Sequence, residues 1–291
     1  MRARGLPLSF RVTMASLLFL LPAVTVASDW QTSLQTAMSA HQAGDLLAAA
    51  PHYRAAMAEH EPLQRHPAIL TNFGLTAQAE GATEEAIAAF HTVSELTPDD
   101  ANAWFNLGNA LADRAAGHEE AADAMRKCLS LSPTDADAYY SLGLALLSSK
   151  SPDPTTAVAA LQVSIALAPT DAKALVSLGD GLAKLQRWPE SARSFEEALS
   201  MRPTHAGTWA SLGYVQEELG DLSAAEMSWR ESIRLAPDAS ASSQSNLGGM
   251  LRRADRLAEG RAAYAAALTI EPTSVRHRPR ACARLPAAEP S

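Results

Sequence analysis

Apolar residues spaced three and four apart, then a polar turn, then a second run of the same kind, recur along most of this 291-residue chain. One stretch runs Trp104, Leu107, Gly108 and Leu111, then Ala121, Met125, Cys128 and Pro133. The next reads Tyr139, Leu142, Gly143, Leu146, Ala157, Leu161 and Pro169, and the one after it Leu175, Leu178, Gly179, Leu182, Phe195, Ala198 and Pro203. Such spacing puts the apolar side chains on one face of a helix, so each stretch predicts two antiparallel helices. Six glycines (Gly74, Gly108, Gly143, Gly179, Gly213, Gly248) fall at intervals of 34, 35, 36, 34 and 35 residues. Six prolines, Pro98 to Pro272, follow them by 24 to 26 residues. A period near 34 is the mark of stacked helix-turn-helix units. Strand-type alternation is absent, and the chain reads as all-α.

The glycine predicts where two helices approach closely. The small residue of the second helix (Ala86, Ala121, Ala157, Ala225) faces it, and the large residue four positions on fills the adjacent space. Proline ends the second helix, because it cannot donate to the helical ladder and clashes with the preceding turn. Asp, Thr or Ser beside it, as in Pro98-Asp99-Asp100 and Pro169-Thr170-Asp171, supply caps for the next helix. The fourth unit carries two extra residues between its helices; there Pro154 suits the first turn of the second helix and Asp153 its cap.

These residues resemble the tetratricopeptide repeat (TPR) pattern: Trp-x2-Leu-Gly-x2-Tyr, then Ala-x3-Phe, then Pro. The resemblance is best at Trp104 and Trp209 and covers residues 67–272 in six copies. Residues 30–62 read as a worn first copy, with Ala37 at the glycine position and Ala49, Tyr53 and Ala56 on the second helix. The resemblance implies a right-handed superhelical solenoid of about seven repeats, near 30–66, 67–100, 101–135, 136–171, 172–205, 206–240 and 241–272. It concerns packing positions, and packing positions do not name an activity.

Charge and the chain ends refine this expectation. Residues 1–28 hold Arg2, Arg4 and Arg11, an apolar run from Val12 to Leu21 and the small-residue segment Thr25-Val26-Ala27-Ser28. That order is expected of a signal peptide cleaved after Ala27 or Ser28, which would export the protein to a periplasm, lumen or extracellular space. Left uncleaved, the run would anchor the chain to a membrane. The formal charge is −8 overall and −15 over residues 28–240, whereas residues 241–291 are net basic. An acidic surface repels phosphate backbones, so nucleic acid is not an expected partner. Residues 273–291, with Pro279, Pro286, Pro290 and four arginines, are expected to be a disordered basic tail. The last helix, near Leu257–Ile270, then lacks a covering neighbour. Ala262, Ala263, Ala266 and Ile270 would be left for a partner or a second copy to cover, or the chain is a truncated relative of something longer.

Catalytic constellations are missing from the sequence. The eight histidines are scattered, and there is no Gly-x-Ser-x-Gly, no phosphate loop and no nucleotide fingerprint. Cys128 and Cys282, the two cysteines, make neither a disulfide framework nor a zinc motif, and Cys128 occupies a packing position. No cofactor or metal is expected.

The first helices are the more informative place, since in the family they line the concave face. The residue two before each family glycine reads Asn72, Asn106, Ser141, Ser177, Ser211 and Asn246, a ladder able to hydrogen-bond a peptide backbone. The position after the glycine reads Leu75, Asn109, Leu144, Asp180, Tyr214 and Gly249. Phe105 and Tyr140 would supply an apolar anchor. The carboxylate clamp of chaperone-adaptor members is not expected: Asn109 and Lys173 match two of its positions, but Phe105, Ser141 and Ser177 stand where donors are needed. The expected function is a non-enzymatic scaffold that holds a peptide or helix of partner proteins through Asn72, Phe105, Asn106, Asn109, Tyr140, Tyr214 and Asn246. Two rivals are the substrate-recognition arm of a glycosyltransferase that modifies Ser and Thr with N-acetylglucosamine, and a membrane-tethered assembly factor.

Overall fold

The glycine series becomes a series of helix contacts. In the computed structural model, described over residues 29–272, fourteen α-helices and two short 3-10 turns follow one another, with no strand among the described residues. The helices are α1 (Asp29–Gln42), α2 (Leu46–Glu59), α3 (Pro67–Glu80), α4 (Thr83–Leu96), α5 (Ala101–Asp113) and α6 (His118–Leu131). They continue with α7 (Ala136–Ser148), α8 (Pro154–Leu167), α9 (Ala172–Lys184), α10 (Trp188–Met201), α11 (Ala206–Glu218), α12 (Leu222–Leu235), α13 (Ala241–Arg253) and α14 (Leu257–Ile270). Each odd-numbered helix pairs with the next to form a hairpin. The chain divides after Pro133 into two compact units, the first holding three of these hairpins and the second four. Within each unit the second helix of one hairpin packs on the first helix of the next. The export signal read in residues 1–28 and the basic tail read in 273–291 lie outside the described residues.

A Cβ added to Gly74 would stand 2.6 Å from the Phe90 ring. At Gly108 it would meet the Met125 methyl at 2.6 Å, at Gly143 Leu161 at 2.6 Å, and at Gly213 the Trp229 ring at 2.8 Å. Phe90, Leu161, Phe195 and Trp229 are fully buried. The large residue of the second helix therefore occupies the volume that the glycine leaves. In the first hairpin, where Ala37 replaces glycine, Tyr53 is buried and meets His41 edge-on. Cys128 is a buried filler of the third hairpin.

Helix starts follow from side-chain caps. Asp45, Asp100, Asp135, Asp153, Asp171 and Asp221 each accept a backbone N–H of the first turn, which satisfies a donor the helix itself cannot pair. Asp153 and Pro154 open α8 as their sequence implied. The turns inside hairpins use left-handed backbone at Gly44, Gly81 and Gly220; Gln186 and Asp255 adopt the same conformation with φ of 58° and 60°. A side chain there carries a local cost of about 1 kcal/mol.

Two features differ from the sequence reading. A 3-10 turn, Glu61–Arg65, separates α2 from α3 and buries Leu63. On α14, Ala263 turns inward with Gly260 and Ala267, so it does not belong to the outer face; Ala262 and Leu257 are exposed there, and Ala266 and Ile270 half-buried.

Ion pairs tie consecutive hairpins along the outside. Arg54 of α2 reaches Glu80 at 2.5 Å and Glu85 at 2.7 Å, and its guanidinium lies over the Phe73 ring. In the second unit Arg256 bridges Glu226 and Glu259, and Arg253 pairs with Glu217.

Candidate binding groove

Helix α9 supplies the central stripe. Lys173, Ser177, Asp180 and Lys184 follow at intervals of four, three and four residues, so a 3.6-residue turn places all four on one face. Ser177, Asp180 and Lys184 of that face line a pocket of about 540 Å³ built by the first helices of the second unit, α7, α9, α11 and α13, with Phe195 of α10. Its polar lining includes Ser177, Ser211 and Asn246, three rungs of the ladder read from the sequence, together with Asp180 and Tyr214. Leu144, Leu147 and Val215 provide apolar wall. Tyr214 keeps 44% of its surface exposed and holds its ring edge-to-face against Trp188, with centroids 6.0 Å apart. Lys184 Nζ donates to the Leu147 carbonyl at 3.1 Å, which pins the ammonium to the wall.

A second depression, of about 170 Å³, shares Ser177 with the first. Lys173, Arg202 and His205 line it, with Tyr140 and Val176. His205 caps α11: its Nδ1 accepts the Thr208 backbone N–H at 3.2 Å. That assigns the proton of the neutral ring to Nε2, a donor.

The remaining sequence candidates belong to the first unit. Asn72 on α3 is half-buried and stands beside the buried Tyr53 hydroxyl, without hydrogen-bond geometry between them. Burial pushes the Tyr53 phenol up to about 12, with Asn72 acting in the opposite sense. Phe105, Asn106 and Asn109 are half-buried on α5. Phe105 and Tyr140, expected to supply an apolar anchor, fall in different units. The structure thus gathers Tyr214 and Asn246 at one pocket and places Tyr140 at the other. Arg202 is what sequence reasoning missed: it ends a second helix and joins Lys173 only through stacking. Asp180 stands in the register of groove positions, but nothing in the sequence marks it above the amides and aromatics there. Among the described residues no group of three or more His, Cys, Asp or Glu could hold a metal ion, and no helix is long and apolar enough to cross a membrane.

A family model described as a TPR repeat matches residues 78–113, and one described as tetratricopeptide repeat matches residues 112–172 and 176–240. The chain belongs to the tetratricopeptide repeat family. This TPR protein resembles a tetratricopeptide repeat protein from Parabacteroides merdae, with 16% identity, 84% of this chain and 94% of that one covered, and a TM-score of 0.64. It also resembles a chain of the APC/C hetero-tetramer Cut9–Hcn1, with 18% identity, 90% and 49% covered, and a TM-score of 0.62. A third likeness is YrrB, described as a TPR protein with an unusual peptide-binding site, with 23% identity, 64% and 93% covered, and a TM-score of 0.53. At these identities the likeness establishes the fold. Comparison with curated protein sequences gives no significant match.

Electrostatics single out Asp180 in this TPR protein. One side of the residue is open to solvent, yet the pocket walls desolvate its carboxyl and raise its pKa to about 6, Lys184 only partly opposing them. A raised acid pKa disfavours the folded state once the unfolded chain is ionised. The penalty is absent below the ordinary value of 3.8, grows as pH rises through 6, and is constant above. Asp180→Asn is therefore expected to stabilise the protein above pH 6, by about 1 kcal/mol once solvent screening on the open side is discounted. Denaturant titrations at pH 7.5 and pH 3 check this: the gain should vanish at pH 3, and an equal gain at both values would refute the assignment.

Proposed function

We propose that this TPR protein is a non-enzymatic scaffold whose first-helix groove binds a peptide or helix of partner proteins. The observation that carries the reading is the pocket lined by Ser177, Ser211, Asn246 and Tyr214. Short hydroxyls and an amide can satisfy the backbone of a bound segment, and the aromatic ring can take an apolar side chain. Affinity then comes from several modest contacts on a surface already formed, so no single residue dominates. YrrB, whose fold is similar, is itself described as having a peptide-binding site. On the same reading residues 1–28 direct export; a mature protein that still begins at Met1 would remove that part.

The test is affinity capture with the full chain beside Tyr214→Ala/Asn246→Ala and Asn72→Ala/Phe105→Ala/Asn106→Ala. Circular dichroism confirms that each variant remains helical. Partners held by the parent should fall at least tenfold on the first variant. If they fall only on the second, the binding surface belongs to the first unit. Equal retention by both would move it off the first helices and reject the proposal.

A further inference from the structure

The smaller depression on α9 is charged by cations alone, and the larger pocket holds one carboxylate, Asp180, and one ammonium, Lys184, that make no ion pair with each other. Arg187, Arg230, Arg234, Arg253 and Arg256 of the second unit each pair with a glutamate. Lys150, Lys184, Arg193, Arg252 and Arg261 do not, and neither do Lys173 and Arg202: no carboxylate of the described residues lies within ion-pair distance of them. Lys173 and Arg202 both line the smaller depression, where His205 adds a ring N–H. Seven residues further along the same face, Asp180 lines the larger pocket, its carboxylate in no ion pair or hydrogen bond with the described residues; Lys184 lines the same pocket and acts on Asp180 through space, its ammonium hydrogen-bonded to the Leu147 carbonyl. Seven residues of helix span about 10.5 Å.

An unpaired carboxylate in a partly desolvated pocket gains most from a cation, and unpaired cations gain most from an anion. The long-range field then limits the choice. Residues 134–272 of the second unit hold 17 acidic and 12 basic side chains, a net −5, so a segment of purely acidic character is disfavoured as it docks. A segment that carries both signs meets both depressions without that penalty.

We infer that the groove of the second unit binds a peptide segment presenting one acidic and one basic side chain with their charges about 10 Å apart, the acid over Lys173, Arg202 and His205 and the base over Asp180. This rests on the scaffold reading above and adds the chemistry of its ligand. A polyproline-type segment rises about 3.1 Å per residue with three residues per turn, so side chains three apart share a face with about 9 Å between them. Acid and base three positions apart would then fit without distortion.

The experiment is selection of random dodecapeptides on the full chain, followed by fluorescence polarisation with acetylated, amidated synthetic copies. Peptides weakened by Tyr214→Ala/Asn246→Ala should contain an acid and a base within four positions. Replacing either by glutamine should weaken binding about tenfold. Asp180→Lys should reverse the preference at the basic position from Lys to Glu. Lys173→Glu/Arg202→Glu should reverse it at the acidic one. A reversal of preference is a readout that loss of folding cannot produce, and His205 is left intact because it caps α11. Groove-dependent peptides without the charge pair, or preferences unmoved by the reversals, would overturn the inference while leaving the scaffold reading in place. So would loss of binding on C-terminal amidation, which would identify the anion as a chain terminus. If no selected peptide depends on the groove, both readings fall.

Discussion

Gly179→Val is expected to destabilise the second unit by about 3 kcal/mol, at the upper end of what overpacking a core costs. A Cβ at Gly179 would stand 2.5 Å from Phe195 Cε1, 2.7 Å from Cζ and 2.8 Å from Cδ1. The ring cannot withdraw. Phe195 is fully buried against Ala192, Leu199, Leu212 and Val215, so its displacement disturbs α10 and α11 together. Helix propensity acts the other way, by only a few tenths of a kcal/mol for valine against about 1 kcal/mol for alanine, and the valine gain is too small to compensate. Gly207→Ala supplies the contrast: a Cβ there meets only the His205 ring at 3.4 Å, so the propensity gain should survive. Urea unfolding followed by circular dichroism measures both. The cause is isolated by Gly179→Val/Phe195→Leu, which should be less destabilised than the sum of its single variants. Strict additivity would mean that the glycine is there for another reason.

That prediction rests on a feature already legible in the sequence. The glycine, the small residue and the large residue recur together because one packing problem is solved anew in each hairpin. Gly74 with Phe90 and Gly213 with Trp229 are the same contact in two places. The aspartate caps were legible for a related reason, since a cap acts on backbone two or three residues away. What escaped was not local. Arg202 reaches Lys173 only after α10 and α9 are stacked, and no repeat pattern fixes the residue at that end of a second helix. Taken as an isolated helix, α14 presents Ala263 on its outer face; its true inner face is set by α13. The left-handed turns at Gln186 and Asp255 were within reach, as Gly44, Gly81 and Gly220 hold the same place in other hairpins. Asp180 shows the limit most clearly. Its position in the groove register was evident, but that its carboxylate makes no ion pair depends on where Lys184 points.

Trp229 should separate the two roles of a buried indole. It is fully buried between Gly213 of its own hairpin and Leu247, Met250 and Leu251 of α13, and its Nε1–H has no acceptor among the described residues. Trp229→Ala removes the shared core of the last two hairpins and should cost about 4 kcal/mol. Trp229→Phe removes part of that volume, but it also removes a buried donor whose desolvation is uncompensated, a penalty of about 1–3 kcal/mol. The two terms oppose each other, and the Phe variant should lie within about 1 kcal/mol of the parent. Trp104 and Trp209 make the comparison informative, because their Nε1 atoms donate to the Pro98 and Pro203 carbonyls at 2.9 and 2.8 Å. Trp209→Phe forfeits a made hydrogen bond as well as volume, and should be the more costly phenylalanine substitution of the two although Trp209 is the less buried ring. Repeat arrays unfold in parts, so a single transition is not the right readout. Hydrogen exchange across α11 to α14 is: Trp229→Ala should lower protection there first and leave the first unit unchanged. Loss of protection spread evenly over the chain would mean that the two compact units do not unfold separately. A phenylalanine variant as costly as alanine would show that the indole N–H finds an acceptor.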